Sequence, residues 1–152
     1  MTTVFPTSVP ATSAFVCPTF TLNGPPRTKK NHGVTKILPS LPYLEWYKLA
    51  MQQVPIIRTI FRMANIRLPI SGPVAVKALF YREARVGDLN GYMQALGDFL
   101  QESRMFGNKQ RTGAGIIKED SQICSWDGSR RLHDKNFPRI EVTISILPEG
   151  ME

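Results

Sequence analysis

The chain has 152 residues, enough for one domain with a sizeable core, and its 42% hydrophobic and 20% charged content is that of a folded protein. A net charge of +7 favours polyanionic partners, although a soluble protein that is merely basic would carry the same charge. No apolar run is long enough to span a membrane, no secretory signal opens the chain, and Cys17 and Cys124 form neither a CxxC motif nor a disulfide framework, which fits a reducing cytoplasm.

Residues 1–13 are Thr, Ser, Pro and apolar side chains with no charge, the composition of a flexible lead-in before a domain over 14–148 and a tail over 149–152. Residues 14–22 have strand composition, and Pro18 confines that strand to an edge or to its start. Asn23-Gly24-Pro25-Pro26 breaks it. A loop follows that carries Arg27, Lys29, Lys30 and Asn31 and no acid. Its lysines and amide suit phosphate contacts, and the same composition also describes a solvated turn.

From 43 to 65 apolar residues recur every three or four positions, and Pro55 predicts a kink or two helices. Trp46 and Phe61 read as core. Residues 74–81 are apolar almost throughout, a buried strand. Asp88 precedes a helical face of Leu89, Met93, Leu96 and Leu100 and is placed as its N-cap. Asn90, Gln94 and Asp98 are spaced by four along another face, where Asp98 reads as a solvated acid.

Residues 105–114 look like a polar, basic loop, and Glu119-Asp120 then opens a strand over 122–126. Asp127-Gly128-Ser129 is a turn signal, and 130–136, with Arg130 and Arg131, is a second basic polar segment. Residues 139–147 alternate as a half-buried last strand. The order implies a single α/β (α+β) domain, a mixed four-stranded sheet with two main helices packed on it.

Asp88 and Asp120, each at the end of a regular element, suit a hard divalent cation, with Asn90 adding an amide oxygen and Glu119 a spare carboxylate. Such a cation activates water for phosphodiester hydrolysis. The structural alternative is a helix cap at Asp88 and a turn at Glu119-Asp120.

Three stretches together resemble the RusA-type Holliday-junction resolvases of bacteria and their prophages. They are Gly24-Pro25-Pro26-Arg27-Thr28-Lys29-Lys30-Asn31, the Asp88-Leu89 helix start with Ala95-Leu96-Gly97-Asp98, and Gly115-Ile116-Ile117-Lys118-Glu119-Asp120-Ser121-Gln122-Ile123. The resemblance implies a homodimeric endonuclease that uses Mg²⁺, or Mn²⁺ in its place, to resolve four-way DNA junctions by paired nicks in recombination and repair. It implies a site of Asp88, Asn90, Gln94 and Asp120, with Asp88, Asn90 and Asp120 on the metal. DNA contacts would come from Arg27, Lys29, Lys30, Asn31, Arg130 and Arg131. The family's second Asp is replaced by Asn90 and its lysine by Gln94. A branched-DNA-binding protein of the same fold that cleaves weakly or not at all is therefore the alternative expectation.

Overall fold

The computed structural model of the protein describes residues 14–29, 41–85, 87–106 and 109–150, with backbone alone over 103–106 and 109–111. Its centre is a pair of long antiparallel strands, β3 (Val74–Arg82) and β8 (Arg139–Ile146), in register from Val74↔Ile146 to Tyr81↔Arg139. On the far side of β8 lie two short antiparallel strands, β1 (Phe15–Val16) and β2 (Phe20–Asn23). On the far side of β3 lie two short parallel ones, β6 (Ile123–Ser125) and β7 (Arg130–His133). A separate hairpin pairs β4 (Ser103–Phe106) with β5 (Lys109–Thr112).

The fold is thus a single α+β domain with a mixed sheet, as expected, but the sheet has six strands rather than four. The strand expected over 14–22 is split between Val16 and Phe20, where Pro18 has no N–H to donate to the ladder. Arg130–His133 is an edge strand and not a loop. Its charged side chains hide strand character from composition, and charge is what an exposed edge tolerates. Between β6 and β7 the Ser129 hydroxyl accepts the Ala78 N–H at 3.0 Å, so β3 keeps a partner where the edge changes strands.

Three helices complete the domain: α1 (Leu41–Gln52), α2 (Val54–Met63) and α3 (Leu89–Leu100). The first two divide at Gln53, because Pro55 is tolerated only in the first turn of a helix. The Gln53 amide then exchanges two hydrogen bonds with the Asn23 backbone, 2.7 and 3.0 Å, and ties the break to the end of β2.

Alternation along β3 and β8 buries Val74, Val76, Ala78, Phe80, Ile140, Val142 and Ile144 on one face of the sheet. The helices meet that face through ring contacts. Phe61 of α2 packs on Phe20, and Tyr92 of α3 stacks on Phe80. Trp46 of α1 packs edge-on against Phe99 of α3. Among the described residues no helix is long and apolar enough to cross a membrane.

The return from the β4–β5 hairpin fixes what comes after it. The N–H groups of Ala114, Gly115, Ile116 and Ile117 bond to the carbonyls of Phe99, Gln101, Leu100 and Leu100. A helix leaves its last carbonyls without intrahelical donors, and here the following chain supplies them. A methyl group on Gly113 would run into the Gln101 carbonyl oxygen, so only glycine fits this return. Gly113→Ala should lower unfolding free energy by at least about 2 kcal/mol in a urea titration, from overpacking against backbone.

The thiols differ in the same way as their surroundings. Cys17 is buried and its pKa is pushed up to about 11, whereas Cys124 is exposed. A thiol reagent at pH 8 should therefore titrate Cys124 alone in the native protein and both cysteines in denaturant.

Candidate active site

Helix α3 carries the site. Asp88 is its N-cap, and its Oδ1 accepts the Gly91 N–H at 2.7 Å. Leu96, Phe99 and Leu100 face the core, which leaves Asn90, Gln94 and Asp98 in line on another side. Asn90 and Gln94 are exposed. Asp98 is only 6% exposed, and its Oδ2 receives the Lys29 ammonium at 2.6 Å. The expectation of a solvated acid at Asp98 is therefore corrected. A carboxylate that leaves water needs a charged partner, and Lys29 supplies it.

Lys29, expected at the DNA backbone, directs its ammonium at Asp98 in this structure. Thr28 lies beside the same helix, with its Cγ2 2.8 Å from where a Cβ on Gly91 would stand. The 27–29 segment therefore follows the polar side of α3, with Arg27 held by Glu83 at 2.8 Å. Lys30 and Asn31 lie outside the described residues.

Asp120 reaches α3 from the other direction. It opens a 3-10 turn over Asp120–Gln122 that is capped reciprocally by Glu119 and Gln122. The expected spare carboxylate, Glu119, is thus the cap of this turn, and the strand begins only at Ile123. The Gln122 amide accepts the N–H groups of Lys118 and Glu119 and donates to the carbonyls of Ile70 and Gly72. The Asp120 N–H donates to the Oε1 of buried Gln101 at 3.2 Å. Asp120 Cβ then stands 3.8 Å from where a side chain on Gly97 would begin, as do atoms of Ile123 and Trp126. Gly97 is the gap that lets the acidic turn approach the helix.

The four expected catalytic residues, Asp88, Asn90, Gln94 and Asp120, therefore all lie on or against α3, and all four are exposed. They do not close into a cage. Asp88 meets α3 at Gly91 and Asp120 meets it at Gly97, positions separated by about 9 Å of helix axis. Among the described residues no three His, Cys, Asp or Glu side chains group as metal ligands. The ligand types, carboxylate and amide oxygen, are those a hydrated hard cation such as Mg²⁺ takes, but the two carboxylates reach α3 at separate points. They do not fit a closed, dehydrated site.

Arg130 and Arg131 part company. They occupy successive positions of β7, in register with Leu79 and Phe80, and successive residues of a strand face opposite sides. Arg131 shares the side on which Phe80 stacks against Tyr92, and its guanidinium donates to the Gly87 carbonyl at 3.4 Å. Arg130 faces the other side of the sheet. Burial raises the Tyr92 pKa, and this is partly offset by the Arg82 hydrogen bond and by the fields of Arg82, Arg27 and Arg131. Arginines thus gather at the end of α3 that bears Asp88.

Gln101, Gln122, Arg82 and Tyr92 were not among the residues singled out from sequence. Glu119-x-x-Gln122 has capping-box spacing and could have been found. Gln101 carries no local signal. No family model matches this sequence, and no curated protein matches it either.

Lys29→Ala would leave Asp98 buried without its cation. The expected loss is about 3 kcal/mol of unfolding free energy. A Lys29→Met, Asp98→Leu double variant should regain most of it, and urea melts of the four proteins check both statements.

Proposed function

We propose that this protein is a RusA-like endonuclease that acts on four-way DNA junctions with the help of a divalent cation. One observation carries the reading. Two exposed carboxylates far apart in sequence, Asp88 and Asp120, are brought by separate devices to the same helix, Asp88 at its N-terminus with arginines nearby and Asp120 against Gly97. A chain with net charge +7 that gathers carboxylates beside cations suits phosphodiester chemistry better than a uniformly acidic or basic surface would.

Asp88, Asn90 and Asp120 would hold Mg²⁺, or Mn²⁺ in its place. When bound, such a cation supplies an activated water and neutralises charge on the departing oxygen. The chain's own residues do the remaining work. The N-cap bond to Gly91 orients the Asp88 carboxylate, and Gln101 and Gln122 hold the backbone that presents Asp120. Gln94 lies on the same line of α3 as Asn90 and offers its amide to substrate. Arg131 supplies positive charge for the DNA backbone, and the residue types of Lys30 and Asn31 suit further phosphate contacts. Paired nicks across a junction need two such sites, hence a homodimer. We place this activity in recombination and repair, in the bacterial cytoplasm, and of prophage origin.

A second reading is a branched-DNA-binding protein that does not cut. It is favoured by the Lys29–Asp98 pair, which commits the one remaining acid of α3, and by the absence of a three-acid group among the described residues.

A labelled four-way junction and a linear duplex, each incubated with Mg²⁺, Mn²⁺ or EDTA, separate the two. Symmetric metal-dependent nicks in the junction alone are expected. Asp88→Asn and Asp120→Asn should each lower cutting by about a hundred-fold or more while junction binding stays equal or tightens. Tight binding without nicks under any metal would establish the second reading, and neither binding nor nicking would dismiss both.

A further inference from the structure

We propose that Trp126 is a stacking platform for an unpaired DNA base, set at the border of Asp120. The inference rests on the nucleic-acid reading above and adds what the site recognises: a nucleotide free of its duplex stack, as at a branch point or in a single strand. The chain has two tryptophans, and their surroundings differ. Trp46 is 4% exposed and packs against Tyr43, Tyr47 and Phe99 in the core. Trp126 is only half-buried, and no aromatic ring packs against it among the described residues.

The turn that carries this ring is held at both ends. The Ser129 N–H donates to the Trp126 carbonyl at 3.0 Å, and the Asp127 N–H donates to the Ser125 hydroxyl at 3.1 Å. The Ser129 hydroxyl in turn accepts the Ala78 N–H, which ties the turn to β3. On the helix side, Trp126 Cζ2 stands 3.8 Å from where a side chain on Gly97 would begin, as does Asp120 Cβ. The indole edge and the acid thus border the same bare glycine of α3.

The line of α3 that leads to this glycine is apolar. Leu89 and Met93 precede Gly97 at intervals of four and are half-buried, as is Ile123, whose Cδ1 also lies 3.8 Å from the Gly97 position. The charges beside the ring are acids, since Asp120 and Asp127 are both exposed. Without a cation such a surface repels phosphates, and what it offers DNA is an aromatic, apolar face for a base. A base stacked on the indole carries its phosphodiester one sugar away, and that step across Gly97 leads to Asp120. In a linear duplex the bases stack on one another, so the platform favours DNA that presents a free base.

The test uses the full chain in EDTA with a four-way junction, a single-stranded oligonucleotide and a linear duplex, each followed by tryptophan emission and, when labelled, by anisotropy over a salt series. Wild-type emission should fall with junction or single strand and far less with duplex. In Trp126→Phe the remaining emission is that of buried Trp46, and it should not move although the DNA still binds with most of its affinity. Trp126→Ala should weaken junction binding by about ten-fold, leaving duplex binding and the slope of log K against log salt unchanged, because a stacked base releases no counterions. Thermal melts check that both variants stay folded. Where the alanine variant unfolds, the emission of wild type against Trp126→Phe decides.

Binding seen by anisotropy without a fall in emission would overturn the platform, and so would a fall that persists in Trp126→Phe, which would come from Trp46. No loss in a folded Trp126→Ala, or an equal loss on junction and duplex, would overturn it as well. In each of these cases the nucleic-acid reading stands. A wild-type protein that binds none of the three DNAs would overturn the platform and that reading together.

Discussion

A buried carboxylate organises the polar side of α3. Asp98 sits among core residues of the helix, and a charge in that position is tolerable only with a counter-ion at contact distance. Lys29 must therefore cross from the segment after β2 to reach it. That crossing draws Thr28 against Gly91 and sets the 27–29 segment beside the helix start. A hydrophobic pair could hold the same two segments with less desolvation. The ion pair adds direction, because an ammonium and a carboxylate must meet end to end whereas apolar groups can slide.

The opposite border of the site depends on hydrogen-bond accounting rather than charge. The carbonyls at the end of α3 need donors, and residues 114–117 provide them as the chain returns from the hairpin. The 3-10 turn follows three residues later and inherits that alignment. Gln122 then bonds the turn to the carbonyls of Ile70 and Gly72, and Gln101 anchors Asp120 from the helix side. Asp120 is thus positioned through its backbone, which leaves its exposed carboxylate available for chemistry. Asp88 is positioned through its side chain, by the cap bond, and keeps only part of its acceptor capacity.

What the sequence disclosed follows how local each determinant is. The start of α3, the division at Pro55 and the alternation of β8 depend on neighbours within a few residues, and all three were legible. The strand character of Arg130–His133 was not, because it comes from pairing with β3 and not from propensity. The β4–β5 hairpin lies within a stretch whose polarity reads as loop. Asp98 was misread for the same reason. Its spacing with Asn90 and Gln94 is that of a solvent face, and the lysine that covers it lies 69 positions earlier. In the candidate site the acids were readable as residue types, but the glutamines that place Asp120 and the arginines that flank Asp88 depend on contacts across the fold.

The two ends of α3 consequently differ in electrostatic character. At the C-terminal half the charges are matched, since Lys29 answers Asp98 at 2.6 Å within the protein. At the N-terminal end Asp88 stands next to a glycine whose carbonyl already draws two arginines. The polar side of α3 is therefore neutralised within the protein at one end and lined by acid and cation side by side at the other, a difference that the crossing of Lys29 and the pairing of β7 with β3 set up.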